Sequence, residues 1–301
     1  MRQGVYGAPP AALASVDAAA RQFSPLVPGA AALEDAPAQR LDALTLYAPP
    51  GVLERRFILA HALRALKERA PLLALAPKAK GGARLAAELE DFGCEVDESS
   101  KAHHRICRVF RPAAPRGLEE AIVEGGPQFC EAMGLFTQPG VFSWSRIDPG
   151  SALIAEKLPQ LSGRGVDLGC GYGFLARAIL RDENVKALAL IDLDRRAVDA
   201  ARKNVEDARA GFFWADATRE NCGLEHLDFV VTNPPFHDAG DEDRGLGLRF
   251  IEAAARLLRR GGALHLVANR HLPYEATLRD KFRAVETVAE AAGYKIFKAV
   301  K

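Results

Sequence analysis

Two consecutive prolines at the end of an apolar run constrain this chain more than any other feature. Val230-Val231-Thr232 reads as a strand, and Asn233-Pro234-Pro235-Phe236-His237 follows it directly. Proline has no N–H to give to a ladder, so two in a row cannot continue a central strand, and the sheet must end at this turn. The neighbouring sequence supplies that sheet. Residues 165–169 read as a strand running into glycines, 174–181 as a helix, 187–191 as a strand and 196–204 as a helix. After the strand at 229–232 come a helix at 248–258, a stop at Gly261-Gly262 and a strand at 263–267. This alternation predicts a doubly wound α/β sheet, whose ligands sit beyond the carboxyl ends of its strands.

The first half carries a fainter version of the same rhythm. Residues 43–47 and 71–76 are predicted strands, and 53–67 and 82–92 predicted helices, the second stopped by Gly93. Its nearest glycine loop, Lys80-Gly81-Gly82, lacks an acid at the strand end, and no Asn-Pro-Pro turn matches the one downstream. The expected organisation is therefore two Rossmann-like domains in tandem, residues 1–130 and 131–301, the N-terminal one degenerate. Pro and Gly punctuate residues 112–139, which suits a connector. A chain of 301 residues with 49% hydrophobic content can bury two ordinary cores.

The alanine-rich N-terminus, residues 1–32, is interrupted by Asp17 and four prolines, so it forms no clean apolar targeting segment. No run approaches the roughly 20 apolar residues needed to cross a bilayer. The five cysteines are scattered and odd in number, without a C-x-x-C pair, which argues against a disulfide framework or a structural zinc site. The expectation is a soluble, cytoplasmic protein without metal. A formal charge of +1 neither requires nor excludes a nucleic acid.

Asp167-Leu168-Gly169-Cys170-Gly171-Tyr172-Gly173 has the spacing G-x-G-x-G, not the dinucleotide G-x-G-x-x-G. The difference fits S-adenosylmethionine, which has no pyrophosphate to cradle. Asp167 is expected near the cofactor's cationic amino-acid end. Asp192 ends the next strand, where a doubly wound site places an acid for the ribose hydroxyls. Asp194 is its nearest competitor, and Asp216, ending another apolar run, is a candidate for the adenine amino group. At the double proline, the Asn233 side chain and the Pro234 carbonyl form a rigid pair of acceptors suited to an exocyclic amine beside an activated methyl group. Phe236 offers a stacking face. His237 is expected to be structural or a substrate contact, because no strong base is needed. Each of these features alone has a plainer reading as a solvated loop acid or an Asx-capped turn.

The glycine loop, the turn Asn233-Pro234-Pro235-Phe236-His237-Asp238 and the tail Val267-Ala268-Asn269-Arg270-His271-Leu272-Pro273-Tyr274 together resemble bacterial ribosomal RNA guanine-N2 methyltransferases, those of the small (16S) subunit above all. Pro139-Gly140-Val141-Phe142-Ser143, then Asp148 and Gly150-Ser151, is similar to the family's approach to its catalytic domain, and Tyr294-Lys295-Ile296-Phe297-Lys298 to its ending. The resemblance covers residues 138–301. It implies two methyltransferase-like domains, the first without a cofactor site. It also implies methyl transfer from S-adenosylmethionine to a guanine N2 amine, with ribosomal RNA or an assembling subunit as partner. Carried over by position, Asp167, Gly169, Gly171 and Asp192 would bind the cofactor, with Phe142 and Ser143 lining its pocket; Cys170 and Gly173 of the same loop are further candidates. Asn233, Pro234 and Phe236 would hold the base. The acidic stretch at 240–247 departs from the family pattern.

For the RNA itself, residues 101–116 are the strongest candidate. They contain Lys101, Arg105, Arg108, Arg111 and Arg116 with two histidines and no acid. Arg259-Arg260 and Arg270-His271 are alternatives. Rival readings are amine methylation of large-subunit guanine, adenine N6 or a glutamine amide, a non-catalytic assembly factor, and a Rossmann oxidoreductase. The glycine spacing disfavours the last.

Overall fold

The computed structural model describes residues 2–235 and 245–301 in full, and the backbone alone at 237–238, 241–242 and 244. The chain divides into two compact units, residues 1–127 with 138–140, and residues 128–137 with 141–301. The expected boundary at 130/131 falls inside a small hairpin of the second unit.

The first unit begins with β1 (Gln3–Tyr6) and β2 (Arg21–Phe23). The alanine- and proline-rich stretch thus contributes strands to a core in which Phe23 is buried. Then come β3 (Ala43–Tyr47), α1 (Val52–Ala65), β4 (Pro71–Pro77), a short turn of 3-10 helix and α2 (Leu85–Asp91). β5 (Asp97–Lys101), β6 (His104–Phe110) and α3 (Leu118–Gly125) complete it. The sheet order is β2-β1-β3-β4-β6-β5; the first four strands are parallel, and β6 runs antiparallel between β4 and β5. α3 occupies part of the expected connector. Its flanking glycines frame a helix rather than prevent one, and Gly125 packs so closely that an added Cβ would lie 2.4 Å from Phe57 Cβ.

The second unit opens with the hairpin β7 (Gln128–Cys130) and β8 (Leu135–Thr137), followed by α4 (Pro149–Lys157). Its sheet is built from β9 (Gly163–Leu168), β10 (Val185–Asp192), β11 (Ala210–Trp214) and β12 (Leu227–Thr232), with α5 (Phe174–Ile179) and α6 (Arg195–Asn204) between the earlier strands. A two-residue ladder, β13 (His237–Asp238) with β14 (Asp241–Glu242), precedes α7 (Arg244–Leu257). β15 (Leu258–Asn269), α8 (Glu275–Lys281), β16 (Ala284–Ala291) and β17 (Tyr294–Val300) close the chain. The order is β11-β10-β9-β12-β15-β17-β16, the first five strands parallel and β17 antiparallel between β15 and β16. Val166, Leu168, Leu190, Val230, Val231, Leu264 and Leu266 are fully buried, as expected for strands covered by helices on both faces. Gly261-Gly262 does not stop the helix. α7 ends at Leu257, and the glycines form a bulge inside β15, where the pairing with β12 shifts register. Among the described residues no helix is long and apolar enough to cross a membrane.

Aligned from their antiparallel edges, the two sheets match strand for strand, with β3 in the place of β12 and β1 in the place of β9. The counterpart of Asn233-Pro234-Pro235 is therefore Ala48-Pro49-Pro50, and that of the glycine loop is the stretch after β1, Gly7-Ala8-Pro9-Pro10. Lys80-Gly81-Gly82 follows β4 and corresponds to neither. In the first unit Ala48 offers no acceptor amide, and the proline carbonyls are taken. The fully buried Arg55 donates Nη1 to Pro49 O (3.1 Å) and Pro50 O (2.7 Å) and grips Glu88 through two bonds of 2.6 and 2.7 Å. Removing one partner of such a pair strands the other charge without solvent. Glu88→Ala is expected to lower stability by about 3–5 kcal/mol in urea unfolding; an unchanged midpoint would mean that the guanidinium finds other acceptors.

Candidate functional site

The register of the second sheet brings three strand ends together. Leu168 of β9 lies opposite Ile191 of β10 on one side and Thr232 of β12 on the other. The buried Thr232 hydroxyl donates to Leu168 O at 2.7 Å, tying β12 to β9 where both end. Gly169, Asp192 and Asn233 therefore leave the sheet side by side. The loop from Gly169 to Gly173 is pinned to β10: the Gly169 and Cys170 amides donate to Ile191 O at 2.9 and 3.1 Å, and Gly171 N to Asp192 Oδ2 at 2.8 Å. Gly169, Gly171 and Gly173 all have positive φ, of 72°, 54° and 86°. At Gly171 an added Cβ would meet nothing within 4 Å, so this backbone faces open space.

That space is a hollow of about 340 Å³. Of the sequence candidates, Phe142, Gly169, Gly171, Asp192, Asp216, Asn233 and Pro234 line it. Cys170 lines a smaller recess beside it, shared with Asp148 and Ser151. Phe236 and the side chain of His237 lie outside the described residues. Gly173 serves packing, since an added Cβ would come within 2.9 Å of Val205. Ser143 belongs to a turn of its own, its hydroxyl donating to Arg146 O at 2.8 Å, and does not line the hollow.

Three carboxylates near the hollow differ in environment. Asp192 uses Oδ2 for Gly171 N and Oδ1 for Asp194 N, both at 2.8 Å. Burial pushes its pKa up to about 6, with those amides drawing it partly back. Asp167 lies beneath the loop rather than in the hollow, fully buried, and neither oxygen makes a well-formed hydrogen bond. Burial first and the Asp192 charge second push it up to about 8, against a weaker pull from the Ala176 amide. Asp216 closes an Asx turn, accepting from Thr218 N (2.9 Å) and Oγ1 (2.6 Å), and pairs with Arg219 at 3.2 Å. Asp194, the rival to Asp192, instead caps α6 and binds Arg196.

The Asn233 amide is held on one side only. Its Nδ2 donates to Asp148 Oδ2 and to Ser151 Oγ, both at 2.8 Å, while Oδ1 takes no partner among the described residues. The sequence reading missed this pairing; the signal for it was Asp148-Pro149, a helix-start signature that puts a carboxylate at a defined place. It also missed Leu246, Arg249 and Phe250 of α7, which line the hollow and are spaced three and four apart, as one helix face requires.

The basic stretch of the first unit looks different in three dimensions. β5 sets Asp97 opposite Arg108 and brings Glu98 to Arg105, paired at 2.8 Å. Arg111 corrects the expectation of a phosphate contact: it is buried, donating Nε to Leu63 O (2.8 Å) and Nη1 to Pro112 O (2.9 Å). Lys101 reaches Ala12 O at 3.2 Å and Arg108 reaches Ser99 Oγ at 3.3 Å, both at the surface. A larger depression of about 1170 Å³ on this unit is lined by Glu68, Arg69, Glu95, Asp97 and Arg108 among others. It holds charges of both signs and no buried unpaired acid.

The methyltransferase small domain matches residues 132–298. The ribosomal RNA small subunit methyltransferase C of Shewanella piezotolerans is 30% identical over 268 residues, covering 86% of this chain and 77% of that protein. The protein of the same name from Alteromonas mediterranea is 32% identical over 225 residues, 73% of this chain and 62% of its own length. Among solved structures, a T. thermophilus 16S rRNA N2 methyltransferase in complex with AdoMet and guanosine superposes with a TM-score of 0.75 at 28% identity, covering 90% of this chain and 76% of that one. A strand-end loop of three glycines, a neighbouring acid and a proline-fixed amide, in a chain matched along most of its length, lead to one conclusion: this protein belongs to the ribosomal RNA small subunit methyltransferase C family.

Proposed function

We propose that this protein transfers the methyl group of S-adenosylmethionine to the exocyclic N2 amine of a guanine in 16S rRNA. The observation that carries the reading is the Asn233 amide, fixed through Nδ2 with Oδ1 left as its open acceptor beside the hollow at Gly169 and Gly171. Relatives named for small-subunit methylation and a similar structure holding guanosine favour guanine in ribosomal RNA over adenine or a protein amide.

The residues present fit the cofactor. Gly171 leaves room against its backbone, and the partner-poor carboxylate of Asp167 beneath the loop favours a cation above it. Asp192 retains lone pairs for the ribose hydroxyls. Leu193, Ala217, Leu246 and Phe250 offer an apolar slot for a flat heterocycle, with Asp216 at its rim. When bound, the cofactor supplies a methyl group activated by its sulfonium. Asn233 Oδ1 and the Pro234 carbonyl oxygen accept the two N–H bonds of the guanine amine and aim its lone pair away from the ring. Forming the N–CH3 bond would break the S–CH3 bond and leave a neutral thioether, and the amine would shed one proton to water, because both acceptors are neutral oxygens that hold it only weakly. Fixed placement supplies the rate, and no strong base is required.

A guanine within structured RNA must be unstacked to reach this turn, costing on the order of a few kcal/mol. Phosphate contacts offset that cost. The first unit, residues 1–127 with 138–140, serves as the RNA-recognition domain and the second as the catalytic one, with Lys101 and Arg108 of the β5–β6 hairpin as backbone contacts and Arg105 restrained by Glu98. With ribosomal RNA or an assembling subunit as partner, the protein works in the cytoplasm.

Asn233→Ala is expected to reduce methyl transfer to 16S rRNA by at least about 100-fold, in line with loss of one oxyanion-hole-type group, with cofactor affinity kept in calorimetry; retained turnover would end the acceptor role. Replacing both Lys101 and Arg108 by Glu should lower the slope of log affinity against log salt by about 2, near one per lost cation, and an unaltered slope would clear this hairpin of RNA contact. Asp167 carries a pH signature. The folded, cofactor-free protein keeps a proton up to about pH 8 that the unfolded chain loses near 3.8, so its stability falls as pH rises through that window. Asp167→Asn should flatten this decline, melting higher than wild type by about 5 °C or more at pH 8, while binding the cationic cofactor more weakly. Parallel melting curves from pH 5 to 8.5 would refute a buried, protonated Asp167.

A further inference from the structure

The Asn233 amide has two ends of similar shape and opposite chemistry, and only one presentation is useful. Its oxygen must face the hollow to accept from an amine; its NH2 in that place would repel the amine's own protons. The side chain of an asparagine on a turn can rotate between the two. In this protein one neighbour removes the choice. Asp148 Oδ2 already accepts the Ser151 N–H, and the second group it meets at 2.8 Å is the donating NH2 of Asn233. Ser151 Oγ takes the other N–H at 2.8 Å.

We propose that Asp148 and Ser151 are positioning residues that set which way the Asn233 amide faces; this rests on the acceptor role given to Asn233 above. Asp148 is itself firmly placed. It is 7% exposed, caps α4, and accepts the Ser151 N–H at 2.7 Å with the same oxygen that receives Asn233. Pro149 fixes the first residue of the helix. Gly150 is required by the close approach: an added Cβ would lie 2.7 Å from Tyr294 Cε1 and 3.0 Å from Asp148 Oδ2. The helix start and the catalytic turn, 85 residues apart in sequence, thus share one carboxylate oxygen. The arrangement is short-ranged and charge-assisted, the kind of hydrogen bond worth most in a partly dry site.

The test uses the full-length protein and reads the amide itself as well as activity. The side-chain NH2 resonance of Asn233 is assigned by its loss in Asn233→Ala and followed in cofactor-free protein. Asp148→Ala is expected to move it towards a free amide, speed its exchange with water, and lower kcat on 16S rRNA on the order of 10- to 100-fold, the equivalent of one hydrogen bond to a charged group, without changing cofactor Kd. Ser151→Ala, which spares the cap, should do the same to a smaller degree. Asp148→Asn, able to present an oxygen at the same place, should restore most of both. An Asn233 resonance unmoved in Asp148→Ala and Ser151→Ala overturns the proposal. So does a shifted resonance with kcat unchanged, or an effect confined to cofactor affinity. If the wild-type protein methylates no RNA, the proposed function fails while the resonance still reports on the tether.

Discussion

Everything at this site depends on where parallel strands stop relative to one another. Thr232 donating to Leu168 O fixes the ends of β12 and β9 at the same height, and the pairing of Leu168 with Ile191 does so for β10. Residues far apart in sequence then leave the sheet within reach of one another, and no further folding is needed to assemble them. A slip of one residue would turn alternate side chains to the opposite face and carry Asn233 away from the glycine loop. The buried threonine hydroxyl resists that slip because it would lose its only acceptor in an apolar surrounding.

On that frame the glycine loop and the prolines do opposite jobs. The glycines remove side chains, so that backbone faces open space at Gly171; the prolines remove freedom, so that the adjacent amide and carbonyl stay where they are placed. Acids then tune the hollow by their differing environments. Asp192 is anchored by two backbone amides and remains in reach of solvent, while Asp167 is shut below the loop with little to stabilise its charge.

Much of this was readable from the chain alone, and the reasons for the gaps are local. Strands β3, β9, β10 and β12 announced themselves because buried parallel strands are continuous apolar runs with clear punctuation. β1 and β2 did not, being three or four residues long within an alanine- and proline-rich stretch that shows no strand period. α3 was hidden by the very glycines that bound it. Arg111 reads in sequence like its neighbours Arg105 and Arg108; only the fold shows it turned inward to Leu63 O, and only pairing with β5 shows acids across from an acid-free run. The glycine loop, Asp192 and Asn233 were legible because their chemistry is carried by consecutive residues. The tether from Asp148 was not, since no local pattern links two segments that meet only through the sheet.

The pair Arg55–Glu88 in the first unit shows a similar turn closed by the chain's own side chains. Ala48-Pro49-Pro50 keeps the rigid corner, but its carbonyls are satisfied by the chain's own guanidinium, locked in turn by a carboxylate. Buried carbonyls without donors are a standing polar deficit, and here it is met from within. The closure is also a seal. Restoring an asparagine at residue 48 alone would place an amide beside oxygens that are no longer on offer, so the route back to a working corner runs through the arginine first.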